Sequence, residues 1–381
     1  MRLIICCCLV LVLVCCKEKY EPPVTSPRTG YLVIEGIISA NGPAEIHLSR
    51  TIPLADSAKP NNERAAFVQL EGNDGSKNVL SETSTGTYTH PALNLNPNTQ
   101  YRLYIKTRDG KDYASEFVRV KNAPPIDSVS WVRENGGLQI YINTHDPLNN
   151  TWYYRWETEE TWEFHSNYYT NLDFDIDTIK HEIVGVKYRR SDRQADESLF
   201  TCWQHENSTR LLLGSSAKLS EDIIHLPLVY IPPKSWKLGV LYSILVKQYA
   251  LSREEYDFLQ KMKRNSEETG SIFDRQPSEL KGNVRCLTKP DEPVIGFIGI
   301  ANRHEQRIWI RRSQIPDWGY YMVCPYREIT TDSAWFYANW CPIIPSDFSP
   351  FNGAITKYTA SDFDCVICTR RGTNIKPSFW P

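Results

Sequence analysis

The sequence predicts a mainly β protein, and its composition and its turn spacing both support this class. Tyr and Trp are abundant, at 21 and 11 residues, whereas Met occurs only 3 times; this bias is typical of half-buried strands. Turn sequences such as Asn73-Asp74-Gly75 and Asp109-Gly110 separate short apolar stretches. Turns about every 8–12 residues are typical of β-sandwiches, in which each strand buries one face.

The segment before the first predicted strand carries an export pattern. An apolar run over residues 3–14 ends just before Cys16, and the charged stretch Lys17-Glu18-Lys19 follows. The run is shorter than the roughly 20 residues of a spanning helix, and its length suits a signal-peptide core. This order resembles the bacterial lipoprotein signal, so we predict a signal peptide over 1–15, lipidation of Cys16 and a tether over 16–30. An uncleaved anchor helix and an ordinary secretory signal are the alternatives.

The first folded region is predicted over residues 31–122. Tyr101, Leu103 and Ile105 alternate with polar residues. This period of two is expected of a strand that buries one of its faces. The preceding Leu95-x-Pro97-x-Thr99-x-Tyr101 run resembles the tyrosine-corner segment of immunoglobulin and fibronectin type III domains. We therefore expect an N-terminal immunoglobulin-like β-sandwich.

A second, larger β-rich domain is predicted over residues 123–381, after the break at Ala123-Pro124-Pro125. It contains one predicted short α-helix, near 252–266. Ser252 and Glu255 have the spacing of a capping box, and apolar residues follow at helical intervals. The polar stretch 166–197 is predicted to be a loop-rich insertion.

An aromatic strand is the longest two-period run of the sequence. Trp152, Tyr154, Trp156 and Trp162 share one face of this extended segment. We weigh two interpretations: a strand whose aromatic face lies in the core, and an exposed aromatic contact surface formed by these four residues.

Cysteines are the remaining candidates for chemistry. Beyond position 16 the chain has six, an even number that suggests disulfides in an exported protein. The six candidates are Cys202, Cys286, Cys324, Cys341, Cys365 and Cys368. Six cysteines allow 15 pairings, and the sequence does not choose between them. A redox or zinc role for the Cys365-x-x-Cys368 pair is the alternative, although no second closely spaced pair is present for zinc.

Charge and motifs exclude several classes of function. The net charge is −2 and no long basic tract occurs, which argues against nucleic acid as a partner. Ser215-x-x-Lys218 matches a serine–lysine motif, but Lys-Thr-Gly is absent from the chain. We predict no catalytic residue, no metal ligand and no cofactor.

Several segments together resemble a Bacteroidota outer-membrane lipoprotein family of unknown function (DUF4249-like). The matching segments span nearly the whole chain: the start at Cys16, Leu32-Val-Ile-Glu-Gly, His47-Leu-Ser-Arg-Thr, Ile126-Asp-Ser, Tyr242-Ser-Ile-Leu-Val-Lys-Gln-Tyr-Ala-Leu-Ser, Gly282-Asn, Val294-Ile-Gly, and the end from Cys365 to Trp380. The resemblance implies an N-terminal immunoglobulin-like module and frequent association with TonB-dependent receptors. It implies no catalytic residue.

The sequence therefore predicts a lipid-anchored accessory or binding protein of the outer membrane. Its expected partners are the membrane, through the N-terminal lipid, and a TonB-dependent receptor, for capture or import of a ligand that the sequence does not identify. Charged residues after Cys16 resemble a surface-export signal, and a merely solvated tether is the alternative. A structural or adhesive surface lipoprotein and a surface hydrolase with an unrecognised site are the rival functions.

Overall fold

A computed structural model describes residues 30–52, 61–267 and 280–381 of the chain. The predicted lipidation site, Cys16, lies outside these residues. Within them the chain is mainly β, with one long helix, which confirms the predicted fold class. Alternating burial along the strands produces several cores, because each strand buries the side chains of one face.

The first part of the chain forms the N-terminal sandwich. Its strands are β1 (Leu32–Ser39), β2 (Ala44–Arg50), β3 (Asn61–Asn62), β4 (Phe67–Gly72), β5 (Lys77–Ser84), β6 (Thr87–His90), β7 (Gln100–Lys106), β8 (Asp112–Ser115) and β9 (Val118–Arg119). The buried Tyr101 hydroxyl accepts a hydrogen bond from the Asn96 backbone N–H at 2.9 Å. This is the tyrosine-corner contact that the sequence predicts.

The middle of the chain forms a second sandwich. Its elements are β10 (Ile126–Glu134), β11 (Gly137–His145), β12 (Tyr153–His165), β13 (Leu172–Asp177), β14 (Glu182–Tyr188), β15 (Thr201–Asn207), β16 (Leu212–Ser215), β17 (Ile223–Ile231), β18 (Leu241–Ala250) and α1 (Arg253–Glu267). One sheet has the order β10-β11-β17, and β12 and β18 pair in a second sheet that faces it. The stretch predicted as loop-rich contains the β13–β14 hairpin, whose largely polar strands give only a weak alternating pattern.

The last part of the chain contributes to the cores of both sandwiches and forms most of a further core of its own. Its elements are β19 (Val284–Cys286), β20 (Ile300–Ala301), β21 (His304–Arg311), β22 (Tyr326–Thr330), β23 (Trp340–Phe348), β24 (Ile355–Asp362) and α2 (Phe363–Val366). Strand β21 joins the second sheet beside β18, giving the order β15-β12-β18-β21. Strands β22-β24-β23 form a third sheet, and the β13–β14 hairpin packs against it around a small core.

The N-terminal sandwich also takes in residues from far beyond the predicted boundary at 122/123. Strand β19 pairs with β8, and β20 runs parallel to β1. The Ile34 backbone N–H donates to the Ile295 carbonyl oxygen at 2.8 Å, and Ile298 is buried in the first core. A Cβ at Gly282 would lie 1.6 Å from the carbonyl oxygen of Gly296, so only glycine allows these two backbones to approach.

Four of the six candidate cysteines form disulfides. Cys202 pairs with Cys368, and Cys324 pairs with Cys365. The two cysteines of the Cys-x-x-Cys motif therefore bond to distant partners and tie the C-terminal segment to the second and third parts of the fold.

The disulfide prediction is wrong for the other two cysteines. Cys286 and Cys341 are free and buried. Cys286 lies in the N-terminal core, whereas Cys341 packs beside the Cys324–Cys365 bond, so the two sulfurs belong to different cores. Burial raises the pKa of the Cys341 thiol to about 12, so this thiol is a poor nucleophile.

Candidate functional site

A cavity of about 820 Å³ lies where three distant parts of the chain meet. Strand β1 of the N-terminal sandwich forms one wall, and helix α1 forms another. The returning segment 295–297 and the loop 209–211 complete it. A volume of this size falls within the range of about 300–1,000 Å³ that is usual for small-molecule sites.

Apolar side chains of helix α1 provide much of the wall. Phe258, Leu259 and Met262 follow one another at helical spacing and line the cavity, together with Leu211 and Phe297. Phe258 and Leu259 are buried, and they belong to a cluster that packs the helix against the second sandwich. The Lys263 ammonium donates to the Leu211 carbonyl oxygen at 2.9 Å, which fixes the loop against the helix.

Glu255 places a carboxylate between this cavity and a second one of about 490 Å³. The Glu255 backbone N–H donates to the Ser252 hydroxyl oxygen at 3.1 Å, the capping contact that the sequence predicts. A Cβ at Gly299 would lie 2.0 Å from Glu255 Oε2, so the absence of a side chain there makes room for the carboxylate. Burial raises the pKa of Glu255 to about 7, against the opposing effects of Arg155 and the Ser252 backbone.

Two guanidinium groups also border the cavity. Arg155 comes from β12 and donates to Glu157 Oε1 at 2.9 Å, so part of its charge is already balanced. Arg210 is exposed and lies in the loop that precedes Leu211. The site therefore combines apolar walls with a few charged groups, the composition usual for pockets that hold a small ligand.

The predicted aromatic contact surface is wrong. Tyr154, Trp156 and Trp162 lie in the core of the second sandwich, and Trp156 is only 1% exposed. Trp152 is partly buried and precedes the strand. The Trp156 indole N–H donates to Gln248 Oε1 at 2.8 Å. The aromatic face is covered because the β10-β11-β17 sheet packs on it, as the alternative interpretation of the same run expects.

Two of the exposed apolar side chains lie in segments that connect the strands of the third sheet. Phe351, in the β23–β24 loop, is 97% exposed, and Trp335, which follows β22, is 65% exposed. The end of β22 pairs with the start of β24, where Thr330 lies opposite Lys357. The β23–β24 loop therefore emerges at the same end of the sheet as the segment that carries Trp335. Large exposed apolar side chains at one end of a sheet are candidates for contact with a partner.

The described ranges offer neither a metal cluster nor a spanning helix. No group of three or more His, Cys, Asp or Glu residues suited to a metal ion occurs in residues 30–52, 61–267 and 280–381. In the same ranges no helix is both long and apolar enough to cross a membrane.

The sequence comparison identifies the family. The family described as "Domain of unknown function (DUF4249)" matches residues 17–307. The chain belongs to this family. The match includes β1, β12 and helix α1, and so most of the cavity wall of this DUF4249 protein. No curated protein matches the sequence.

The solved structures that match this DUF4249 chain share little sequence with it. A two-domain fibronectin type III segment of chicken tenascin is 10% identical, with 59% of this chain and 92% of that chain covered and a TM-score of 0.16. The FN1–FN3 domains of chicken CNTN1 are 12% identical, with 58% and 62% covered and a TM-score of 0.19. The sandwich class of the DUF4249 chain therefore rests on its own strands and cores.

Sequence reasoning missed the cavity of this DUF4249 protein, although it found one of its residues. The sequence marks Glu255 as a helix-capping residue, and only its position beside Gly299 reveals a partly buried carboxylate. Arg155 appears in the sequence as one polar member of an alternating strand. The sequence offered one signal for this cavity. It was a carboxylate three residues after an N-cap serine, on a helix with an apolar stripe.

Proposed function

We propose that this protein is a lipid-anchored binding protein of the outer membrane, which holds a small ligand in the cavity beside helix α1 and presents it to a TonB-dependent receptor. The observation that carries the proposal is the cavity of about 820 Å³ with apolar walls and few charged groups. The lipoprotein-like N-terminus supports the location in the outer membrane. The receptor association that the family resemblance implies supports a TonB-dependent receptor as the partner.

Ligand binding is tested on the mature protein purified from its own envelope. Small molecules released on denaturation are identified by mass spectrometry. Met262→Trp adds bulk to the cavity wall and should abolish the bound molecule, whereas Lys261→Trp adds the same side chain at a neighbouring exposed position and should retain it. A wild-type protein that carries no molecule sensitive to Met262→Trp would contradict the proposal.

The receptor contact is proposed at the exposed apolar end of the third sheet. Large exposed aromatic side chains are favourable anchors when a protein partner covers them, and Trp335 and Phe351 offer two at one end of the sheet. Trp335→Ser combined with Phe351→Ser should strongly reduce co-purification of a barrel protein from detergent-solubilised envelope. Leu148→Ser, at an exposed apolar residue of the second sandwich, is the matched control. Equal recovery from the wild type and both variants would refute this contact.

The lipid anchor is proposed at Cys16, on the sequence pattern alone. Cys16→Ser should prevent acylation and release the protein from the membrane fraction, because a thioether-linked lipid requires the sulfur. Mass spectrometry of the wild-type N-terminus should find the acylated cysteine as the first residue. An unmodified terminus, or a terminus that still carries upstream residues, would contradict the anchor. The proposal assigns the protein no catalytic activity.

A further inference from the structure

An open groove of about 590 Å³ lies beside the edge strand β15 of the second sandwich. It shares no lining residue with the cavity beside helix α1 in the described parts of the chain. Trp236 and Tyr320 line it, and both rings are partly exposed. A Cβ at Gly239 would lie 3.1 Å from Tyr320 Cδ1 and 3.1 Å from the Trp236 carbonyl oxygen, so Gly239 lets the Tyr320 ring approach the turn that carries Trp236. A flat apolar group can pack against two such rings.

Arg371 places a guanidinium group in this groove. Its backbone N–H donates to the carbonyl oxygen of Cys368 at 2.9 Å, and Cys368 is bonded to Cys202 of β15. Its Cζ lies 4.8 Å from the ring centroid of Phe164 and 5.7 Å from that of Trp236. The disulfide and the two ring contacts therefore hold the guanidinium group in place.

Most N–H donors of this guanidinium group have no acceptor in the described parts of the chain. Nη2 of Arg371 donates to the His165 carbonyl oxygen at 3.4 Å, which is a long contact, and the buried Nε has no partner. Ring contacts use the faces of a guanidinium group, whereas its N–H donors point outward in its plane. The Nη donors can therefore bind an acceptor that a ligand supplies.

The groove carries positive charge that no carboxylate of the described residues pairs with. Lys234 and Arg371 are the only charged side chains of its lining, and neither forms an ion pair within the described ranges. Their neighbours in the sequence are paired: Lys237 with Glu206 at 2.6 Å, and Arg370 with another carboxylate at 3.0 Å. A groove lined by charge of one sign favours a ligand of the opposite sign.

We propose that this groove binds a small carboxylate with a flat aromatic body. The planar guanidinium group of Arg371 binds the carboxylate group, for which its geometry is suited. The aromatic body packs against Trp236 and Tyr320, and Lys234 adds a second positive charge. The inference goes beyond the proposed function, because it assigns a second ligand site in another part of the fold.

Calorimetric titration of the mature protein at pH 7 tests the proposal with three indole probes that differ in charge. The probes are anionic indole-3-acetate, neutral indole-3-ethanol and cationic tryptamine. We expect the anion to bind at least about tenfold more tightly than either of the others, because hydrogen bonds to an ionised group are the stronger ones. Added salt should reduce this preference, since the groove is open to solvent.

Two variants of Arg371 and one matched control assign the preference to this side chain. Arg371→Gln should abolish the preference for the anion, whereas Arg371→Lys should keep part of it, because lysine retains the charge and loses the planar fork. Arg370→Gln removes the neighbouring exposed charge, which does not line the groove, and should leave the preference unchanged.

Two further variants keep the proposal testable if Arg371→Gln fails to fold. Lys234→Gln removes an exposed charge and should weaken binding of the anion about twofold or more, with little effect on the neutral probe. Tyr320→Ala removes a ring without changing the charge, so it should weaken all three probes and leave their order unchanged.

Several outcomes would overturn the assignment. These are equal affinity for the three probes, no binding of any probe, a preference for the cation, a preference for the anion that survives Arg371→Gln, or an unchanged preference in Lys234→Gln. Sedimentation that shows a dimer dissociated by Tyr320→Ala would also overturn it, because a second copy would then cover the groove. Met262→Trp, which changes the cavity beside helix α1, should leave the affinity for indole-3-acetate unchanged. A loss of affinity there would place the probe in that cavity and refute the groove, so this inference and the proposed function fail separately.

Discussion

Replacing Glu255 by glutamine should stabilise the unliganded protein at pH 8 and have little effect near pH 5. In the folded protein, burial raises the pKa of Glu255 from its usual 4.5 to about 7. Between these two values the folded state holds a proton that the unfolded chain has released. The free energy of unfolding therefore falls as the pH rises through this window. The Glu255→Gln variant has no ionisable group at this position, so it should not show this fall.

The expected size follows from the same two pKa values. A difference from 4.5 to about 7, at about 1.4 kcal/mol for each pH unit, corresponds to about 3 kcal/mol. The side chain keeps some contact with solvent, and screening reduces the effect to about 2 kcal/mol. Glu255→Gln should therefore gain about 2 kcal/mol over the wild type at pH 8.

Urea unfolding followed by Trp fluorescence, at about pH 5 and at pH 8, measures this difference. Glu254→Gln is the matched control, because hydrogen bonds with its own backbone and with Ser252 lower the pKa of Glu254. That variant should be slightly less stable than the wild type at pH 8. The reasoning would be refuted if Glu255→Gln were no more stable than the wild type at pH 8, or if it gained equally at both pH values.

Three further predictions concern the framework that positions the cavity. Joint replacement of Cys202 and Cys368 by Ala opens a loop of 166 residues and should lower the free energy of unfolding by up to about 5 kcal/mol; in urea unfolding, a loss below about 1 kcal/mol would contradict this bond. Gly282→Ala should cost about 3 kcal/mol or more, whereas Gly185→Ala, which has open space around it, should have little effect on the urea midpoint. Trp156→Ala should cost about 3–5 kcal/mol, and a near-neutral result in thermal unfolding would show that the residue is exposed.

Local patterns predicted those features that depend on neighbouring residues. The tyrosine corner forms between Tyr101 and Asn96, which are five residues apart. The helix begins at the predicted cap, with the bond between Glu255 and Ser252. Both predictions succeeded because the partners are close in sequence, so their side-chain types and spacing determine the contact.

Reasoning from local patterns could not predict which strands distant in sequence pair with each other. The return of β19 and β20 to the N-terminal sandwich joins strands from opposite halves of the chain, and no local pattern marks their partners. The β13–β14 hairpin was missed because its strands are largely polar and only partly buried, so their alternation was weak. The free state of Cys286 and Cys341 likewise follows from the cores in which they lie.

The sequence by itself determined which side chains of the aromatic strand share a face, because the side-chain period of an extended chain is two. Only the tertiary structure decided that this face is covered, since a second sheet with its own apolar face packs against Tyr154 and Trp156. The cavity depends on tertiary structure in the same way. Its walls come from distant segments of the chain, and the carboxylate of Glu255 is enclosed only because the returning chain places Gly299 beside it.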